Sequence, residues 1–276
     1  MPSPMFMSRT RSRHWWQNVS PRCRPTANRK TPMAAERAAG RVVGLDLGRS
    51  AALGAMVTYH FCYDLEAFGY LPPGTMVTGW GALSARIIAA TFLFLVGISL
   101  WLAHGHAIRW RSFLKRLVQI GVAAALITLV TWYVQGPRLI FFGILHSIAV
   151  SSLIGLAFLR LPTALTALAA AAVWFAPGWL ANGALDTPWL IWTGLTTLPV
   201  TAVDFVPTFP WLAPVLAGIA VAKSAGRFGL WNRARRAPTA AGRWLGLPGQ
   251  HSLLIYLVHQ PILVGILWSL RQIGWF

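Results

Sequence analysis

The chain has 276 residues, 56% of them hydrophobic and only 11% charged, with a formal net charge of +18. A soluble domain carries about 25% charged residues, and this chain adds 15 Trp and 14 Phe that one small aqueous core could not hide. Disordered, collagenous and disulfide-scaffold classes are excluded on the same grounds, and a polytopic all-α membrane protein is expected.

Residues 1–40 hold Arg9, Arg11, Arg13, Arg22, Arg24, Arg29, Lys30 and Arg37 against a single acid, Glu36. No apolar stretch follows closely enough for a secretory signal, and no twin-arginine pair is present. A basic, disordered cytoplasmic tail is expected. A transit peptide, or initiation at Met33, would explain the same composition. Beyond the tail, 41–276 reads as one transmembrane domain. Apolar stretches of about 18 to 22 residues recur, enough to cross ~30 Å of hydrocarbon at 1.5 Å per residue. They are Leu47–Phe68, Leu83–Ala103, Leu114–Val134, Leu139–Leu159, Ala164–Leu180, Thr208–Ala222 and Ser252–Leu270. About seven spans follow. The segment 189–207 is apolar but broken by Pro199 and Pro207, so it reads as re-entrant or interfacial, or else as an eighth span.

Arg109, Arg111, Lys115 and Arg116 crowd the link after the second span, and Arg160 follows the fourth. Lys223, Arg227, Arg233, Arg235, Arg236 and Arg243 fill the link before the last. The intervening links are poor in cations, which places the amino terminus in the cytoplasm and the end of the last helix outside. The charge is thus a matter of topology, and nucleic acid is not an expected partner. Cys23 and Cys62 have neither zinc-ligand nor disulfide-framework spacing.

An ionisable group at membrane depth costs roughly 2.5 kcal/mol or more, so the few present mark candidate sites. His60 and Asp64 are four apart on the first span, on one helical face. Asp64 could orient the imidazole as a general base, or the pair could only anchor a helix end. His146 lies in the outer half of the fourth span. His259 precedes Pro261 on the last, where it could serve catalysis or satisfy backbone carbonyls freed by the proline. Arg86 opens the second span and could hold an anion or pair with Asp64. Asp204 is the acid closest to the end of the proline-broken segment. His104, His106 and His251 are weaker candidates. No metal site is expected, since no HExxH-type spacing occurs. GxGxxG, Walker and GxSxG motifs are also absent.

Several of these residues stand in familiar strings. Tyr59-His60-Phe61 with Asp64-Leu65, Ala85-Arg86-Ile87-Ile88-Ala89 and Phe94-Leu95-Val96-Gly97-Ile98-Ser99-Leu100 are three of them. Phe142-Gly143-Ile144-Leu145-His146, Asp204-Phe205-Val206-Pro207 with Phe209-Pro210-Trp211, and His251 to Pro261 complete the set. Together, over about Arg41 to Trp268, the chain resembles the bacterial membrane family related to heparan-alpha-glucosaminide N-acetyltransferase. The resemblance implies transfer of an acyl group, acetyl foremost, from cytoplasmic acyl-CoA to an extracytoplasmic acceptor such as a sugar. Lysosomal members are thought to use a His in their first external loop. The link from Gly69 to Ala82 has none here, so His60 becomes the substitute on chemical grounds.

The expected protein is therefore an integral membrane acyltransferase of a bacterial inner membrane, with no permanently bound cofactor and acetyl-CoA as donor substrate. His60 with Asp64 would act as base, and His146 or Arg86 would face the oxyanion. Arg109, Arg111, Lys115, Arg116, Arg233, Arg235 and Arg236 would attract the CoA phosphates, or serve only topology and anionic lipid. Its partners would be the bilayer, acyl-CoA and the sugar acceptor, and homo-oligomers stay open. The rival readings are a small-solute transporter built around Pro188–Pro207 and a non-catalytic scaffold.

Overall fold

The computed structural model describes residues 42–200, 202, 204–234 and 239–274. In chain order the helices are α1 (Val43–Ala67), α2 (Gly79–His104), α3 (Trp110–Gln135), α4 (Ile144–Phe158) and α5 (Thr163–Leu180). They continue with α6 (Thr208–Arg227), a short α7 (Leu230–Ala234), α8 (Ala240–Gln250) and α9 (Ser252–Gln272). Short 3-10 turns cover Gly136–Arg138, Gly183–Leu185 and Pro188–Thr193. Among the described residues there is no strand, and the chain is all-α.

Five helices are long and apolar enough to cross a membrane: α2, α3 with its extension to Arg138, α5, α6 and α9. Two of the seven expected spans fall outside that set, for different reasons. Helix α1 has 25 residues, about 37 Å of length, but Asp46, Arg49, Asp64 and Glu66 lower its apolar character. Helix α4 has only 15 residues, about 22 Å. The expected start at Leu139 moves to Ile144 because the Ile140 backbone is bonded elsewhere. Its N–H donates to Thr131 Oγ1 at 3.0 Å, and its carbonyl accepts from Thr128 Oγ1 at 2.7 Å. The proline-broken segment forms no eighth spanning helix among the described residues. Its longest turn has six residues, roughly 12 Å at 3-10 rise.

Helix α6 is the axis of the bundle. Val215, Leu216, Ile219 and Ala222 are fully buried, packed among α2, α4 and α5. Helices α2 and α6 cross through a pair of glycines. A Cβ on Gly97 would strike the Val215 carbonyl, and one on Gly218 would strike the Phe94 carbonyl. Small residues that let backbones approach are how helices associate in lipid, where no hydrophobic drive separates helix from solvent. Apolar side chains also cover the outside. Leu254, Val258, Ile262 and Ile266 form an exposed stripe at i, i+4 spacing on α9, and Val118, Val122 and Leu126 form one on α3. Each such side chain gains roughly 1.5–3 kcal/mol on leaving water, so an integral membrane protein follows.

The two ends of the bundle differ in charge. Arg109, Arg111, Lys115, Arg116, Arg160, Lys223, Arg227 and Arg243 lie at the end where Trp101 meets His106 and Arg49 meets Ser99. The other end holds Asp64, Glu66, Asp186 and Asp204 against Arg86, Arg138 and Arg271. There the Glu66 carboxylate accepts from the Gly74 and Met76 amides, both at 2.7 Å, and closes the link after α1. In the 181–207 segment Asp186 accepts from the amide and hydroxyl of Thr197. Those bonds hold its carboxyl below the usual carboxylate range.

Candidate active site

Helices α1 and α9 pack along one seam, and their polar residues meet there. The His60 and His259 rings lie 5.0 Å apart between centroids. Asp64, 3% exposed, accepts a hydrogen bond from Gln260 Nε2 at 2.6 Å. The expected orientation of His60 by Asp64 is therefore not the contact formed. At i, i+4 the two share a face and both turn to α9, the carboxylate to Gln260 and the imidazole to His259. Arg86 does not pair with Asp64 either. It is exposed on α2, and the ion pair found among the described residues is Asp46–Arg49 at 3.1 Å.

His259 is held in one tautomer. Its Nδ1 lies 2.7 Å from the Tyr256 carbonyl. A carbonyl can only accept, so Nδ1 carries the proton and Nε2 keeps a lone pair. That Nε2 is buried without a partner, as are Asp64 Oδ2 and Gln260 Oε1. Buried polar atoms normally find partners, and each orphan costs about 1–3 kcal/mol. Three such atoms on one seam are what a site leaves open for a polar ligand or ordered water.

Beside this seam runs a cleft of about 390 Å³ among α1, α2, α3, α4, the end of α8 and α9. Arg49, Arg116, Gln119 and His251 line it, with Leu95, Val96, Ile120, Leu145 and Ile148 between them and Tyr256. The Tyr256 ring is 5.6 Å from the His259 ring. Arg49 is fixed by Asp46 and by Ser99 Oγ, to which its Nη2 donates at 2.5 Å. A smaller apolar recess with Phe113, Leu117 and Ser152 shares Val96, Ser99, Arg116 and Ile120 with the cleft.

His146 stands in the first turn of α4, with Nε2 3.3 Å from Thr128 Oγ1 and its ring against Phe142 at 5.6 Å. Asp204 reaches across from the segment before α6 and accepts from the Ile144 amide at 3.2 Å, so it caps α4. Gly143 is required there, since a Cβ would run into the Asp204 carboxylate. The Val206 amide donates to the Phe142 carbonyl at 3.0 Å and completes the junction.

Of the cations expected to meet CoA, Arg116 lines the cleft, while Arg109, Arg111 and Lys115 are exposed and do not. Arg235, Arg236 and the Arg233 side chain lie outside the described residues. Sequence reasoning gave no role to Arg49, Asp46, Ser99 or Tyr256. Asp46 and Arg49 carried a usable signal, being an acid and a base three apart at the start of an apolar helix. Tyr256 and Ser99 stand in the family strings, but only packing brings them to the cleft. No group of His, Cys, Asp and Glu able to hold a metal occurs among the described residues.

No curated protein and no solved structure matches the chain. One protein family does, that of heparan-alpha-glucosaminide N-acetyltransferase, catalytic, over residues 41–261. This stretch runs from the start of α1 through the His60–His259 seam and the cleft to Pro261, and the chain belongs to that family of membrane acetyltransferases.

Proposed function

We propose that the protein is an acyl-CoA-dependent membrane acyltransferase. It moves an acetyl group from a cytoplasmic donor to a sugar presented on the far side of a bacterial inner membrane. The observation that carries this is the cleft. Two arginines stand at its basic end and Tyr256, next to His259, at its inner end. Such a shape suits a donor whose phosphates meet Arg49 and Arg116 while its thioester reaches the seam. In this reading α1 and α4 also cross the membrane, giving seven spans, with the amino terminus and tail 1–40 on the basic, cytoplasmic side. A short, capped helix such as α4 is tolerated where neighbours shield its ends.

The chemistry follows from the tautomer of His259. Its Nε2 accepts the proton of the sugar hydroxyl or amine as that atom attacks the thioester carbonyl. The new C–O or C–N bond forms, the C–S bond breaks, and the proton passes to the departing CoA sulfur. His60 lies against His259 and bounds the same space, and Asp64 with Gln260 presents unpartnered oxygens to the acceptor. Tyr256, in the cleft and beside His259, is the donor we assign to the oxyanion, a role worth roughly 3–4 kcal/mol elsewhere. Asp204 supports this reading over transport, because it caps α4 rather than facing a path.

The test is release of CoA thiol from acetyl-CoA by purified protein across a panel of hexosamines. His259→Ala and His60→Ala should each lose about 10²–10⁴-fold in turnover with an unchanged thermal midpoint. Full turnover in both variants would remove the seam from the mechanism.

A further inference from the structure

A second and larger cavity, about 550 Å³, opens at the basic end and shares no lining residue with the cleft. It lies between the end of α2, the α4–α5 turn and the α6–α7 junction. Trp101 and Trp231 form its walls. The Trp101 ring packs over Gly226, where a Cβ would meet it, and Trp231 Nε1 donates to the Ala222 carbonyl at 2.9 Å. Its polar lining is cationic or neutral: Lys223, Arg227, His106, Asn232 and Thr163. None of the described acids lines it.

These groups have different duties. Lys223 Nζ uses its three protons on the Phe158 carbonyl at 2.5 Å, the Leu161 carbonyl at 2.7 Å and Thr166 Oγ1 at 3.0 Å. It is saturated and fixes the α4–α5 turn, yet its positive charge remains in the wall. Arg227 sits one turn on, close enough for the two charges to repel. Thr163 Oγ1 is buried without a partner at the first residue of α5, an 18-residue helix whose preceding Pro162 provides no side-chain cap. Two cations without a carboxylate, an orphan hydroxyl and uncapped helix amides together call for an anion with several acceptor oxygens. The volume and the indole walls leave room for an organic group attached to it.

We infer that this cavity binds a phosphate ester, its phosphate meeting Arg227, Thr163 Oγ1 and the first-turn amides of α5, its organic part lying between Trp101 and Trp231. The source is either the head group of an anionic phospholipid or a soluble phosphate ester. The site is separate from the donor cleft and does not depend on the acyltransferase reading.

Native mass spectrometry of the full chain separates the sources. One arm uses nanodiscs of phosphatidylglycerol in phosphatidylcholine, and the other uses detergent-solubilised protein with glycerol 3-phosphate. Saturable binding of one equivalent is expected in one arm, and the arm that shows it names the source. Thr163→Val and Arg227→Ala should weaken it about tenfold or more, as loss of a charge-assisted bond requires. Arg243→Ala, an equal charge change on α8 away from the cavity, should leave it intact. Binding in neither arm would overturn the site, and so would equal affinities in all variants. Equal weakening by Arg243→Ala would reduce it to general charge attraction and overturn it as well. Circular dichroism and thermal midpoints of the variants guard against loss by misfolding, and Thr163→Ser, which keeps the hydroxyl, should bind as the wild type does.

Discussion

Asp204 joins two parts of the chain that no local pattern connects, since its partner Ile144 is 60 residues away. Burial pushes its carboxyl up to about 6, against the opposing pull of the Ile144 amide. The folded state therefore holds this proton more tightly than the unfolded chain, where an Asp titrates near 3.9. The associated stability is complete below about pH 4 and is lost as pH rises through 6. Thermal midpoints between pH 4 and 8 should decline across that window, and Asp204→Asn should flatten this component. A midpoint with the same pH profile in both proteins would contradict the assignment. At this scale the residue types were legible and their partners were not. His60, Asp64, His146 and His259 stand out as ionisable groups in apolar strings. Yet the partner of Asp64 is Gln260, 196 residues on, and the tautomer of His259 depends on a hydrogen bond that only the folded helix shows.

At the scale of elements, apolar length located the helices well, because a helix that crosses lipid must satisfy its own backbone groups over the whole crossing. Where it misplaced an end, a side-chain bond had taken over the backbone, as Thr128 and Thr131 do at Ile140. The proline-broken segment forms no long helix among the described residues, and its 3-10 turn, with Pro188 at the start, follows from local proline geometry and not from hydropathy. Helix pairing was less legible. Gly97 and Gly218 are two of 25 glycines, and nothing in their neighbours announces that they meet across α2 and α6. Gly218→Val should push the Phe94 backbone away and cost about 1–3 kcal/mol or more by overpacking. Thermal unfolding in detergent measures it. The same substitution at Gly121, which faces open space, should be nearly neutral, and equal losses at the two positions would show that α2 and α6 do not pack this way.

For the whole molecule, the charge asymmetry was legible because it depends on the order of links along the chain. The cleft was not, since six helices contribute its walls and no stretch of sequence contains it. Its position gives the molecule a direction: cations at one end, an apolar middle, and unpartnered polar atoms at the seam near the other. The most direct test is acetyl-CoA binding, read as the thermal shift of detergent-purified protein with free CoA and ATP as controls. A ligand at about 100 times its Kd adds ~2.7 kcal/mol to the folded state. The account predicts a shift with acetyl-CoA and CoA but not with ATP. It also predicts that Arg116→Ala and Ile148→Trp, which remove a cation and fill the cleft, each abolish most of it in a folded protein. No shift at millimolar ligand, or an undiminished shift in both variants, would contradict the placement of the donor in this cleft.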